Sequence, residues 1–363
     1  MKKLNIKLIF DKLKVKLNLS PKKKRTFLIV LCALLALILA LLIVGTAYFE
    51  SMLGLINKNP DDSTLSSSEL DELLNGDETV DPDFNGVTLS PDDVDWGNGS
   101  GNIEVGEGII NIMLIGQDRR SGEGRTRSDV MMLCTINKVD KTITLTSFMR
   151  DMYVQIPGYQ DNRINVCYAL QGMELLDECL KVNFGVTVDG NVEVDFYGFM
   201  ELIDLMGGVD IYLNSAEANY LNKNGNWGVD GFTYWTLQEG MNHLTGSQAL
   251  AYARTRYVGK DDFERTERQR KVISALVEKC RDMNLSQLMD LMKKALPNLT
   301  TDLTNQEITN YILDILPMLS NLEIKTQRIP ADGTYQAAWI RDMAVLVPDL
   351  EANRELLKDV MSE

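Results

Sequence analysis

The sequence predicts an α/β domain, because strand patterns are followed by helix signals from about residue 108 onward. Three segments are short apolar runs or alternate with period two, which is typical of β-strands. These segments are 109–115, 130–137 and 142–148. A stretch of about 250 residues is long enough to bury a sizeable core as one domain.

A glycine pair in the middle of this domain separates a predicted helix from a predicted strand. Gly207 and Gly208 follow an apolar segment, 197–206, and glycines are typical residues just after the end of a helix. The segment 209–213 then alternates as a strand.

Two further helices are predicted after residue 244. Thr245 and Gln248 form a capping box, so a helix is expected from 246 to about 254. The next helix is expected to begin at residue 261 or 262.

Arginines are concentrated here in a chain whose formal net charge is −15. The cluster contains Arg254, Arg256, Arg265, Arg268 and Arg270, beside Gln269. Such a cluster indicates an anion, and a phosphate in particular. Arg265 and Gln269 share one helix face within the first two turns, which favours binding. Arg268 can equally bind the anion or pair with Glu264.

An uncharged run of 23 residues, Phe27 to Phe49, predicts a transmembrane helix over 26–49. Residues 1–25 carry ten Lys or Arg and one Asp, and this basic tail directly precedes the run. By the positive-inside rule the N-terminus is cytoplasmic and the remainder is extracellular. An apolar span directly after the basic tail favours the cell membrane as its partner over nucleic acid.

The segment 50–107 is predicted to be a loosely ordered acidic extracellular linker before the domain at 108–363. Residues 59–107 hold 14 Asp or Glu and no Lys or Arg. Five cysteines occur in the chain without a C-x-x-C pair, which argues against a zinc site. Cys167 and Cys179 can be either a disulfide or buried free thiols.

The three predicted strands bring acidic and basic residues to one rim of the sheet. Asp118 follows the first strand, Asp129 precedes the second and Arg150 follows the third. The loop after Asp118 supplies further guanidinium donors, Arg120, Arg125 and Arg127. Two carboxylates beside phosphate-binding arginines suit Mg²⁺ (or Mn²⁺) as a cofactor, whereas the alternative is a surface turn with internal ion pairs. With one histidine, His243, a histidine-based triad is disfavoured.

The order of these motifs resembles the LytR-CpsA-Psr family. The matching segments are G-x-D-x-R at 116–120, R-S-D at 127–129, Arg150-Asp151, R-I-N at 163–165, Gly207-Gly208, LTGSQALAYARTR at 244–256, D-D-F-x-R-x-x-R-Q at 261–269 and TDLT at 301–304. The resemblance implies an α-β-α sandwich with a central mixed β-sheet and a long apolar pocket for a polyprenyl chain. It also implies an extracellular enzyme of a Gram-positive bacterium that transfers glycopolymers, such as teichoic acid or capsule, from a polyprenyl-pyrophosphate carrier to peptidoglycan.

The resemblance also assigns roles to individual residues. Asp118 and Asp129 correspond to the Mg²⁺ ligands. The pyrophosphate-binding set corresponds to Arg127, Arg150, Arg254, Arg256, Arg265 and Gln269, with Arg120 and Arg163 as additions. Asp262 is a candidate for the general base. Two other functions stay open, which are a polyprenyl-pyrophosphate hydrolase and a non-enzymatic envelope receptor or transcription attenuator.

Overall fold

The structure is a computed structural model, and it describes most of the chain from residue 84 onward. The described residues are 40, 44–58, 70, 73–74, 84–97, 101–117, 125–224, 235–256, 258–259 and 261–362. The chain divides into two compact units, 1–53 and 54–363. Residues 44–53 of the first unit are helical, and the second unit contains all the elements that follow.

The second unit alternates strands and helices. The strands are β1 (Val87–Thr88), β2 (Ile109–Gln117), β3 (Ser128–Asn137), β4 (Thr142–Phe148), β5 (Tyr153–Val154), β6 (Asn162–Arg163), β7 (Gly190–Asp195), β8 (Val209–Leu213), β9 (Gly240–Leu244), β10 (Leu299–Thr301), β11 (Glu323–Ile329), β12 (Tyr335–Ile340) and β13 (Met343–Pro348). The helices are α1 (Asn165–Phe184), α2 (Phe196–Leu205), α3 (Ser215–Asn224), α4 (Gly246–Arg254), α5 (Asp261–Arg281), α6 (Leu285–Ala295), α7 (Asn305–Ile315) and α8 (Leu350–Met361).

A six-stranded mixed sheet in the order β10-β7-β2-β3-β4-β11 forms the centre. The β2–β3, β3–β4 and β7–β10 pairs are antiparallel, whereas β2–β7 and β4–β11 are parallel. The three strands predicted first are therefore confirmed as adjacent central strands. Each is buried along most of its length, so both faces of the sheet are covered.

Helices cover both faces of this sheet, which gives an α-β-α arrangement. Met113 and Ile115 of β2 belong to a core that includes α1 and α8. Ile110 and Ile112 belong to the opposite core, which α5 and α7 complete. A separate core lies between α2, α3, α4, α5 and the antiparallel pair of strands β8 and β9. The predicted α/β class and the mixed sheet are thus confirmed.

The helix signals read from the sequence are also confirmed. Helix α4 spans 246–254, and Thr245 and Gln248 cap it reciprocally, with Gln248 Oε1 accepting from the Thr245 amide at 2.9 Å. Helix α5 begins at Asp261, and β8 spans 209–213 as predicted. The helix predicted over 197–206 spans 196–205.

Regular structure is also present before Gly108, where the domain is predicted to begin. Val87 and Thr88 pair in parallel with β12, and Val94 is buried in a core beside Tyr153. The acidic composition of the segment reflects the exposure of its polar residues, while a few apolar side chains anchor it. Cys167 and Cys179 are buried free thiols, which is one of the two expected states.

The predicted transmembrane segment, Phe27 to Phe49, lies mostly outside the described residues. Among the residues that are described, no helix is long and apolar enough to cross a membrane.

Helix α5 is held by the buried side chain of Arg268, which is 1% exposed. Its guanidinium donates to Glu217 Oε1 at 2.9 Å and to the Thr255 carbonyl at 2.8 Å, and it pairs with Glu264 at 3.0 Å. The ion pair with Glu264, considered as the alternative to anion binding, is therefore confirmed. Arg268 joins α5 to α3 and to the end of α4, and it leaves Arg265 and Gln269 on the side that faces the sheet.

We expect Arg268→Met to lower the free energy of unfolding by about 3–5 kcal/mol, because Glu217 would be left buried and unpaired. Lys271→Met on the same helix is the matched control. It breaks an exposed pair with Glu267, so we expect a change of about 0.5 kcal/mol or less. Urea unfolding of the purified protein measures both, and equal losses would contradict the structural role of Arg268.

Candidate functional site

The start of β3 and the end of β4 bring an acid and an arginine together at one edge of the sheet. Arg150, two residues after β4, donates from Nη1 to Asp129 Oδ1 at 3.0 Å. Its Nε donates to Asp262 Oδ2 at 3.0 Å. Since Asp262 lies in the first turn of α5, Arg150 links the sheet edge to the N-terminus of that helix.

Two more arginines complete this ionic cluster. Arg256, just after α4, lies 3.5 Å from Asp262 and 3.8 Å from Asp129. Arg265 lies 3.3 Å from Asp262 and 3.9 Å from Asp129, and it is 3% exposed. Two carboxylates therefore sit among three guanidiniums, which leaves a local excess of positive charge that an anionic ligand can neutralise.

The arginines keep both carboxylates ionised. Burial opposes ionisation of Asp129, but Arg265, Arg150 and Arg256 together outweigh it and hold the pKa of the carboxyl below its ordinary value. For Asp262 burial is again outweighed by Arg265, Arg150 and a hydrogen bond with Asp151, and its pKa lies far below the ordinary value. Burial lowers the pKa of Arg265, although Asp262 and Asp129 oppose that shift.

Asp151 forms a second layer behind this cluster. It is hydrogen-bonded to Asp262, and its carboxylate lies 3.5 Å from Arg150 and 3.8 Å from Arg163. Burial, joined by the charge of Asp262, raises the pKa of Asp151 to about 7, although Arg150 and Arg163 oppose the shift. The Asp151–Asp262 pair can therefore hold one shared proton near neutral pH.

An apolar cavity of about 500 Å³ adjoins the ionic cluster, between the sheet and helices α2, α4 and α5. Its walls include Leu114, Met132, Val192, Phe199, Leu250 and Ile273. The polar part of its lining includes Asp129, Arg254, Arg256, Arg265 and Gln269. One cavity thus combines long apolar walls with a cationic group of residues.

Arg254 and Gln269 are held at this cavity by their own contacts. The Arg254 guanidinium lies 4.3 Å from the centre of the Phe196 ring, and Gln269 donates to the Ala253 carbonyl at 3.5 Å. Gly116 of β2 lets the strands approach closely here, since a Cβ at this position would lie 2.9 Å from Val130 Cβ. A larger residue at 116 would push β3, and with it Asp129, away from the cluster.

The sequence of the chain matches a known protein family. The model of the LytR_cpsA_psr family matches residues 88–358, which is most of the chain. The chain belongs to the LytR-CpsA-Psr family. Members of this family act as glycopolymer transferases.

Individual members of the LytR-CpsA-Psr family support this assignment. The regulatory protein MsrR of Staphylococcus aureus (strain COL) is 29% identical over 71% of this chain and 76% of its own length. The polyisoprenyl-teichoic acid–peptidoglycan teichoic acid transferase TagU of Bacillus mycoides (strain KBAB4) is 32% identical over 64% of this chain and 72% of its own length. A structure of TagT bound to LI-WTA is similar with a TM-score of 0.57 and 25% identity, over 70% of this chain and 91% of that one.

The predicted site residues fall into three groups. The structure brings Asp129, Arg150, Arg254, Arg256, Asp262, Arg265 and Gln269 together. Two others lie nearby without lining the cavity, since Arg127 donates to the Leu73 carbonyl at 3.0 Å and Arg163 faces Asp151. Asp118 and Arg120 lie outside the described residues.

Sequence reasoning did not single out Asp151 or Arg125 for a role at the site. Asp151 belongs to the Arg150-Asp151 motif, but its burial against Asp262 depends on the tertiary structure. In the sequence, Arg125 is one of several guanidinium donors in the loop after Asp118. It donates to the Ala169 and Leu170 carbonyls of α1 at 3.3 and 3.0 Å, just before the break in that helix at Gly172.

We expect Asp151→Asn to alter the pH dependence of stability. The pKa of Asp151 is raised from about 4 in the unfolded chain to about 7 in the folded one, so the folded state binds more protons in this window. The free energy of unfolding therefore falls, through this residue, as pH rises from about 4 to 7. Asparagine resembles the protonated acid and removes this slope.

Denaturant unfolding below and above this pH window measures the effect. We expect the stability of the variant to rise relative to the wild type with increasing pH, whereas Asp290→Asn, on the exposed face of α6, should follow the wild type. A variant that keeps the wild-type slope would contradict the raised pKa.

Proposed function

We propose that the protein is a phosphotransferase that attaches a glycopolymer, such as teichoic acid or a capsular or other wall polysaccharide, to peptidoglycan. The donor in this proposal is the glycopolymer on a polyprenyl-pyrophosphate carrier. The observation that supports it most is the single cavity whose apolar walls adjoin the ionic cluster. A polyprenyl pyrophosphate consists of an apolar chain followed by a diphosphate. The chain matches the apolar walls, and the diphosphate matches the adjoining arginines.

The proposed reaction is displacement at phosphorus. A hydroxyl oxygen of peptidoglycan forms a bond to the phosphorus that carries the glycan, and the bond from that phosphorus to the bridging oxygen breaks. The electron pair leaves with polyprenyl phosphate. Arg254, Arg256 and Arg265 neutralise the charge that develops on this leaving group. The energy comes from the phosphoanhydride, so no nucleotide is needed.

The Asp151–Asp262 pair is suited to receive the proton of the attacking hydroxyl. In the absence of ligand the arginines make Asp262 a weak base, since its pKa lies far below the ordinary value. A bound pyrophosphate would share those guanidiniums and so raise the basicity of Asp262. Asp151, with a pKa of about 7, supports this by accepting part of the proton through their hydrogen bond.

In this proposal Asp129, together with Asp118, would hold Mg²⁺ (or Mn²⁺). Its carboxyl group is ionised, and its nearest contacts with Arg150, Arg256 and Arg265 are all made through Oδ1. Among the described residues there is no group of three metal-binding side chains, which fits an ion that shares its coordination with phosphate oxygens and water. Such an ion would supply charge neutralisation at the pyrophosphate.

The proposal also includes the location of the protein. The basic tail and the apolar run at 27–49 support a single-pass anchor with the domain outside the cell.

The relative MsrR is named a regulatory protein, which keeps a non-enzymatic receptor or attenuator as the second candidate. That alternative predicts binding without turnover.

We expect Asp129→Asn to reduce glycopolymer transfer about 100-fold or more, because the variant loses the negative charge that holds the arginines of the ionic cluster in place and that would bind Mg²⁺. The purified full chain is incubated with a polyprenyl-pyrophosphoryl oligosaccharide, Mg²⁺ and a peptidoglycan fragment, and the products are followed by mass spectrometry. Asp332→Asn is the control, since its carboxylate is 92% exposed. EDTA should abolish the phosphodiester-linked product of the wild type.

The same assay separates the candidate functions. A glycosyl phosphate released by water would favour the hydrolase, and lipid binding that survives Asp129→Asn without any product would favour the receptor.

We expect Ala251→Trp to weaken binding of polyprenyl phosphate at least about tenfold, because Ala251 lines the cavity and an indole ring fills part of a space of about 500 Å³. Ala216→Trp, on the exposed surface of α3, is the matched control. Binding is measured with a fluorescent polyprenyl phosphate. Equal affinities of the two variants would show that the polyprenyl chain binds outside this cavity.

A further inference from the structure

A second cavity of about 430 Å³ lies on the other side of helix α5 from the ionic cluster. It is bounded by α5, strand β8 and strand β11, and we call it the α5–β8 cavity. Its lining includes Tyr212, Arg270, Lys271, Ser274 and Thr326. Three acids line it as well, of which Asp210 contacts His243 and Glu267 pairs with Lys271, and the third is Glu278. No residue of this lining is shared with the apolar cavity described above.

Arg270 is the buried cation of this second cavity, with 8% of its surface exposed. Its Nε and Nη1 atoms are buried and have no hydrogen-bond partner among the described residues. Ser274 Oγ, one turn farther along the helix, is buried and unpartnered in the same sense. The neighbouring acid, Glu267, pairs with Lys271 at 2.7 Å.

The buried donors of Arg270 and Ser274 need a hydrogen-bond acceptor. Burial lowers the pKa of Arg270 to about 10, with Glu267 opposing and Arg328 adding to the shift, so the guanidinium stays charged at neutral pH. A buried charge or donor without a partner destabilises the folded state. A planar guanidinium matches the two oxygens of a phosphate or a carboxylate, and the Ser274 hydroxyl can donate to the same group.

We propose that the α5–β8 cavity is a second binding site, which takes an oxyanion, phosphate or carboxylate, carried by a carbohydrate. The carbohydrate part follows from the rim of the cavity. The Tyr212 side chain is 58% exposed there, and in the antiparallel pair of β8 and β9 it lies opposite Met241, which is 69% exposed. An exposed aromatic ring beside a polar cavity can pack on the apolar face of a sugar.

The two sites are close enough for one glycan to reach both. Arg270 lies five residues after Arg265 on α5, which is about 7.5 Å along the helix axis, and the helix is about 10 Å wide. A chain of a few sugars around α5 can therefore extend from the ionic cluster to Arg270. The identity of that glycan, donor polymer or peptidoglycan acceptor, rests on the proposed function, whereas the oxyanion site itself does not.

Arginine side-chain NMR of the ¹⁵N-arginine-labelled full chain tests the site without any turnover. The buried Nε–H of Arg270 gives a signal that Arg270→Lys assigns. The probes are inorganic phosphate, N-acetylglucosamine 1-phosphate and N-acetylmuramic acid, with neutral N-acetylglucosamine as the control. We expect saturable shifts of the Arg270 signal with the charged sugars and with phosphate, and a much smaller response to the neutral sugar.

The outcomes distinguish the sources of the oxyanion. A response to the sugar phosphate alone assigns the cavity to the donor polymer, and a response to N-acetylmuramic acid assigns it to peptidoglycan. No shift at Arg270, while the signal of Arg265 responds to phosphate, would overturn the site. A response to inorganic phosphate but to neither charged sugar would overturn the carbohydrate assignment.

Kinetics then link the site to the proposed function. We expect Arg270→Gln to raise the KM for the glycan about tenfold while kcat is kept, because the cavity contacts no reacting atom. Arg281→Gln removes the same charge from an exposed position at the end of α5 and should leave both constants unchanged. An equal fall in kcat for Arg270→Gln would contradict a binding role. Failure of the transfer reaction itself would leave the NMR result standing.

Discussion

The bridge that Arg150 makes between Asp129 and Asp262 is the interaction on which the site depends. One guanidinium holds a carboxylate from the sheet edge and another from the first turn of α5, each at 3.0 Å. This fixes the distance between helix and sheet, and the apolar cavity lies in that gap. Arg256 and Arg265 can then approach the same two carboxylates, so the positive charge is partly balanced before any ligand is present. A bound pyrophosphate would neutralise the remaining positive charge.

The polar residues of helix α5 have three different roles. Arg265 and Gln269 face the apolar cavity, Arg268 is buried in ion pairs and hydrogen bonds that hold the helix in place, and Arg270 faces the α5–β8 cavity. The helical repeat of 3.6 residues separates these directions within six positions. Removing Arg268 would therefore disturb both cavities, whereas removing Arg265 or Arg270 should affect only one.

Some motif residues support the fold rather than the chemistry. Asp302 of the TDLT segment accepts hydrogen bonds from the backbone and the side chain of Asn191, both at 2.7 Å, and so joins the end of β10 to β7. Thr304 caps α7 through a capping box. Since β7 also lines the apolar cavity, these contacts position its wall without touching a ligand. A motif defined by family resemblance thus mixes binding residues with structural ones.

The sequence alone was sufficient to predict the central strands, helices α4 and α5 with their capping box, and the grouping of Asp129 with Arg150. These follow from local patterns, because strand alternation, capping residues and chain direction act over a few residues. Three features depended on the tertiary structure. The apolar cavity is formed by side chains from distant elements whose composition resembles any core. The different roles of Arg268 and Arg265 depend on the position of Glu217 in α3. The raised pKa of Asp151 and the unpartnered state of Arg270 require burial by other elements, which no spacing along the chain encodes.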